Sequence, residues 1–183
     1  MRSWKWSSTE KGANLADRDD TKTIGLVAAG AGLGLWWLLR RPSPHFSWAE
    51  LTVTNTGLDN TPTLEDRIRL IYLARKVLEP LREAAGPLLT TSAYRSKTVN
   101  DAVGGATYST HLAGLGWDGY SQEGWTNSDL ATYLYSREDL PLAEVIVEEH
   151  TGHLHIAADI DGAPGERKFL AYDGSTYRTW RPT

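Results

Sequence analysis

Sixteen consecutive residues, Ile24 to Leu39 (IGLVAAGAGLGLWWLL), carry no charge and no hydrogen-bonding side chain except two indoles. They divide this chain into parts that obey different rules. The run ends abruptly at Arg40-Arg41, followed by Pro42 and Pro44. As a helix it spans roughly 24 Å at about 1.5 Å per residue, short of a hydrocarbon core of about 30 Å. Thr21 to Thr23 and snorkelling Lys22 and Arg40 extend its reach. Trp36 and Trp37 sit at one end, where an interfacial aromatic belt lies. The expectation is a short transmembrane or membrane-associated helix over residues 24–39. A buried helix of the soluble domain is the competing reading. A cleaved signal peptide is disfavoured, because 23 polar and partly acidic residues precede the run. A nucleotide loop is excluded, since Gly30, Gly32 and Gly34 are spaced G-x-G-x-G and no acidic residue follows at the required distance. Gly25, Ala29, Gly30 and Gly34 would let a second helix approach closely. The organisation expected is a polar segment over 1–23, the apolar helix over 24–39, a stiff linker over 40–44 and one domain over 45–183.

The 183-residue chain has a formal charge of −4, which argues against a broad nucleic-acid surface because phosphate binding needs a basic excess. It has no cysteine, which removes disulfides, thiolate metal sites and cysteine nucleophiles together. Any metal must therefore be held by His, Asp or Glu, and five histidines suffice for one site. Eight Trp and eight Tyr against two Phe favour amphipathic aromatic surfaces, suited to carbohydrate-like ligands or a membrane interface.

In the domain, Ser47-Trp-Ala-Glu50 is a capping box and Thr63-Leu-Glu-Asp66 a second helix start. Leu70, Leu73, Ala74, Val77 and Leu81 share one helical face, which Pro80 kinks or shortens and Gly86-Pro87 ends. Leu88 to Tyr94 is a strand candidate. Asn127 or Ser128 is expected to cap a helix running to about Arg137. Glu144–Glu148 and His153–Ala158 read as strands joined by a tight His150-Thr-Gly152 connection, hence antiparallel. Lys168–Tyr172 and Ser175–Trp180 flank Asp173-Gly174, a hairpin signal. Helices first and strands later favour α+β, with helices packed on an antiparallel sheet.

Three histidines bear chemistry. His111 lies in Ser109-Thr-His111-Leu-Ala-Gly114-Leu-Gly116-Trp-Asp118. His153 and His155 alternate on a strand and so point the same way. Two His and one carboxylate, with a fourth position open to water, is the arrangement of a catalytic zinc site. A solvated or hydrogen-bonded H-x-H pair is an equally good reading of the spacing alone.

Further segments extend the pattern: His45-Phe-Ser-Trp-Ala-Glu50-Leu51, Asn60-Thr-Pro62, Val77-Leu-Glu-Pro-Leu-Arg82, Thr91-Ser-Ala-Tyr-Arg95-Ser96 and Asn100-Asp-Ala-Val-Gly-Gly105. Together with S-x-H-x-x-G-x-G-x-D and H-L-H, and in this order, they resemble the M15 family of zinc peptidases. That family includes D-Ala-D-Ala carboxypeptidases and phage cell-wall endopeptidases. The resemblance covers roughly His45 to Ala158. It implies a Zn²⁺ held by His111, Asp118 and His155 in a cleft, with Arg95 and the small polar Ser109 on the substrate side. The general base it implies is His153 or Glu148, and Gly152 stands where other members carry a carboxylate. Trp117 replaces a usually small residue and should point away from Asp118. Glycine at 116 in place of alanine is a conservative departure.

The expected activity is hydrolysis of the peptide part of bacterial peptidoglycan by metal-activated water. The alternative is a structural or wall-binding protein, such as a virion component, that keeps the peptidase fold. Peptidoglycan peptides are the expected partner, with the membrane engaged through Ile24–Leu39 and helix or virion partners through the N-terminal segment. Localisation follows as membrane-anchored, catalytic domain facing the wall, or in the membrane of a virus particle. The glycine- and alanine-rich run resembles the weakly held anchors of some phage endolysins.

Overall fold

The structure, a computed structural model, describes residues 40–161 and 167–182. The expected apolar helix over 24–39 lies outside them. Among the described residues no helix is long and apolar enough to cross a membrane.

The domain is α+β. Helix α1 (Trp48–Leu51) starts at Ser47, whose hydroxyl accepts from the Glu50 amide while the Glu50 carboxylate accepts from the Ser47 amide. Thr63 and Asp66 make the same reciprocal cap for α2 (Leu64–Leu73). These boxes satisfy amides that the first helical turn cannot pair. After α2 the helix does not stop at Pro80. It widens into a π-turn over Ala74–Leu78 and continues as α3 (Glu79–Ala85). Pro80 falls in the first turn after the π segment, where a missing N–H and a bulky ring are accommodated. Gly86, at φ 75°, ends α3 as expected.

Strand β1 (Leu88–Ser92) is followed by a short helix not expected from the sequence, α4 (Lys97–Ala102), which Ser96 caps. Then come β2 (Gly116–Ser121), α5 (Asn127–Ser136), β3 (Leu142–Glu148), β4 (His153–Ala158), β5 (Lys168–Tyr172) and β6 (Tyr177–Thr179). The cap of α5 is Thr126, in a box with Asp129, and not Asn127 or Ser128. The six strands form one sheet in the order β1-β2-β4-β3-β5-β6. One pair departs from the antiparallel expectation: β3 and β5 run parallel. β5 lies on the far side of β3 from β4, so a parallel neighbour arises without a crossover helix.

The sheet has two unlike faces. Trp117, Leu154, Ile156, Val145, Val147, Phe169 and Ala171 are buried with Leu70, Leu73, Val77, Leu81, Leu130 and Leu134 in one core. Asp118, His155, His153, Glu148 and Tyr172 alternate with these core residues and stand on the opposite face. The stretch expected as a stiff linker lies against the helical layer: Pro42 and Ser43 are buried, and the Pro42 carbonyl accepts from Arg75 Nε at 2.9 Å. The His45 amide and Nδ1 meet the Glu79 carboxylate at 2.8 and 2.6 Å.

Candidate metal centre

Strands β2 and β4 pair so that Asp118 is opposite His155. Directly opposed residues share a face, which brings the carboxylate to 2.7 Å from His155 Nδ1. His111 arrives from the loop before β2. The His111 amide donates to Ser109 Oγ at 3.3 Å, and the Thr110 carbonyl accepts from the amides of Leu115 and Gly116. The Arg95 amide donates to the His111 carbonyl at 3.1 Å, tying the loop to the end of β1. Gly114 is at φ 68°, and a Cβ there would lie 2.9 Å from the Asp66 carbonyl oxygen. The loop is thus folded tightly enough to set His111 Nε2 3.2 Å from Asp118 Oδ2.

One ligand atom from each of His111, Asp118 and His155 lies within 4.8 Å of the others. All three side chains are mostly withdrawn from water. The donor set suits zinc, being two imidazoles and a carboxylate with no thiolate in the chain. The tautomer fits too. His111 Nδ1 is 2.6 Å from the Ala93 carbonyl, which can only accept, so the proton sits on Nδ1 and Nε2 offers its lone pair toward Asp118. Burial pushes the His111 pKa down, so the ring stays neutral, as a ligand must. Burial alone would raise Asp118, but the hydrogen bond from His155 Nδ1 outweighs it and holds the carboxyl well below the usual carboxylate range.

Arg95 stands at the mouth of this group. Its Nε donates to Ser92 Oγ at 2.8 Å and its NH2 group to Asp118 Oδ2 at 2.7 Å. The cleft in front measures about 360 Å³ and is lined by Val53, Thr54, Asn55, Thr91, Ser92, Arg95, Val99, Val103, Asp118 and His153. His153 therefore shares the cleft with Arg95 and Asp118. Glu148 is opposite His153 on β3, and its carboxylate lies 3.4 Å from His150 Nδ1. Ser109 shapes the His111 loop. Trp117 points into the core away from Asp118, donating from Nε1 to Thr90 Oγ1 at 2.9 Å. Trp125 packs edge-on against Tyr133 of α5, away from the cleft, whereas Tyr120 stays on the face that carries Asp118.

A Cβ at position 116 would come 2.7 Å from Thr110 Oγ1 and 2.9 Å from the His111 amide nitrogen, so glycine at 116 is not interchangeable with alanine in this loop. Asn60, of the Asn60-Thr-Pro62 segment, is buried. Its side chain donates to the Thr52 and Tyr94 carbonyls and accepts from the Ser96 amide, fixing the backbone on both sides of Arg95. The cleft walls Val53, Thr54 and Asn55 carry no signal in the sequence, since only tertiary packing brings them near.

A family model described as Peptidase M15 matches residues 44–157. A comparison with curated proteins finds no match. The matched span contains His111, Asp118 and His155 and ends before β5.

Proposed function

The chain belongs to the Peptidase M15 family, and from that premise we propose that it is a zinc peptidase acting on the peptide part of bacterial peptidoglycan. The convergence of His111, Asp118 and His155 on one point beside an open cleft carries this reading. When bound there, zinc supplies Lewis acidity at the scissile carbonyl and a water acidified toward a pKa of about 7. The remaining work falls to the chain itself. His153, facing the cleft one alternation from His155, accepts the proton of the attacking water and delivers it to the departing amine. Arg95 presents a planar guanidinium to the cleft and can exchange part of its bond to Asp118 for a substrate carboxylate or a developing oxyanion. Asp118 remains ionised through its neighbours and so keeps its capacity to ligate. Burial of the triad limits competing water, and the open sheet face leaves room for an extended peptide.

Metal analysis of the purified full-length protein tests the reading. One zinc per chain is expected, with near-complete loss in His155→Ala and with loss of muropeptide hydrolysis. Full zinc retention in His155→Ala would sink the ligand assignment. Zinc binding without hydrolysis of any wall peptide would instead support a wall-binding protein that keeps the fold.

A further inference from the structure

The strand register draws a second feature out from the metal centre. Glu148 is opposite His153 on β4 and beside Tyr172 on β5, and Tyr172 is opposite Tyr177 on β6. His153, Glu148, Tyr172 and Tyr177 thus form one cross-sheet row on the metal-bearing face. Adjacent strands lie about 4.8 Å apart, so Glu148 is one strand from His153 and the tyrosines two and three. The two phenol rings stack, with centroids 4.4 Å apart and planes 22° apart. The His150 ring stands edge-on to Tyr172. Tyr177 is 56% exposed, so the stacked pair faces solvent.

Glu148 is the unusual member. Its side chain is only 15% exposed, and its one ion-pair neighbour among the described residues is the His150 ring. A carboxylate withdrawn from water needs a cation or several donors. The nearest arginine of the hairpin does not supply it, because Arg178 pairs with Glu149. The hairpin is held in place independently: the Glu149 amide donates to the Tyr172 carbonyl at 2.9 Å, and the Asp173 carboxylate accepts from the Ser175 and Thr176 amides. A shielded carboxylate in the same cross-strand row as stacked aromatic rings suits an ammonium group, through a charge-assisted hydrogen bond and cation–π attraction.

We propose that Glu148, Tyr172 and Tyr177 form a specificity subsite that binds the side-chain ammonium of a diamino-acid residue in the substrate peptide. The proposal rests on the peptidase reading only for the direction from which the peptide comes. At about 3.3–3.6 Å per extended residue, the amine-bearing residue sits within about two positions of the bond cleaved. Tyr172 and Tyr177 lie beyond residue 157, so this specificity is contributed by the part of the chain that the family match does not include.

The test uses the zinc-loaded full-length protein and two stem peptides that differ only in acetylation of the diamino acid's side-chain amine. The wild type should show a KM for the free amine lower by about tenfold, the scale of one charge-assisted contact. In Tyr177→Ala and Glu148→Gln the ratio of the two KM values should fall to near one. Wild-type indifference to acetylation would overturn the subsite. So would an equal fall of kcat on both peptides in Glu148→Gln, which would make Glu148 the proton acceptor. If the wild type cleaves neither peptide, the peptidase reading fails by itself. The subsite is then read by NMR titration of the same peptides: tighter binding of the free amine, lost in Tyr177→Ala, supports it, and equal binding overturns it.

Discussion

His153 and His155 are one strand alternation apart, yet they are given different work. His155 opposes Asp118 and belongs to the group that could hold a metal, whereas His153 reaches the cleft without entering that group. Replacing His153 with Gln keeps a polar side chain of similar reach and removes proton transfer. The His153→Gln protein should therefore bind zinc normally and lose about 10²-fold or more in hydrolysis rate. Zinc analysis beside single-turnover kinetics decides this, and an unchanged rate would move the base elsewhere. At this scale the sequence was legible where chemistry follows local spacing. The H-L-H alternation and the His111-to-Asp118 interval each pointed to residues that the structure brings together, because a strand's two-residue repeat and a tight loop leave little freedom. The bond from Arg95 to Asp118 was not legible, because it joins segments related only by tertiary packing. Nor was the narrow space around Gly116, which depends on how the preceding loop folds back over it.

Among the elements, the α2–π–α3 helix has two functions: it fills the core with one face and receives residues 42–46 with another. Glu79 is the junction. Burial would raise its pKa, but bonds from Ser43 and His45 outweigh burial and hold the carboxyl below its ordinary value near 4.5. A group depressed in this way contributes stability above its unfolded pKa and loses it as pH falls through the folded one. Wild-type stability should therefore decline as pH drops below about 4.5. Glu79→Gln should lower stability by about 2 kcal/mol at pH 7, the scale of a charge-assisted hydrogen bond. It should also flatten the acid decline. Urea unfolding at several pH values checks both, and parallel curves for the two proteins would refute the role given to Glu79. The helix face and both hairpin turns were readable from periodicity and turn residues. The π-turn was not, since the sequence shows Pro80 but not the wide turn that accommodates it. The α5 cap was missed by one residue: Thr126-Asn-Ser-Asp129 is itself a box, but Asn and Ser beside it are equally good caps in isolation. The parallel β3–β5 pair was hidden too, because strand order across a sheet is set by non-local pairing.

For the whole molecule, we propose the arrangement that peptidoglycan requires: the domain outside a membrane, held there by Ile24–Leu39. Five Lys or Arg precede that run and two follow it closely, which leans toward a cytoplasmic N-terminus. Its brevity and its glycines make insertion marginal, so release should be easy. Carbonate washing of membranes from cells expressing the full chain should leave a large part of the protein in the pellet, and deletion of residues 24–39 should move it to the supernatant. A full-length protein that is wholly in the supernatant, with its N-terminus uncleaved, would refute the anchor. The docked entry segment bears on mechanics. Pull transmitted along the entry segment is carried onto Arg75 and Glu79 through the Pro42 carbonyl and His45. Those contacts are on the helical layer, while His155 and Asp118 sit on strands hydrogen-bonded to neighbours on both sides. The fold therefore contains a strain relief, like the clamp on a cable: a tug is expected to strain Pro42 and His45 against the helical layer before it loads the strands that carry Asp118 and His155.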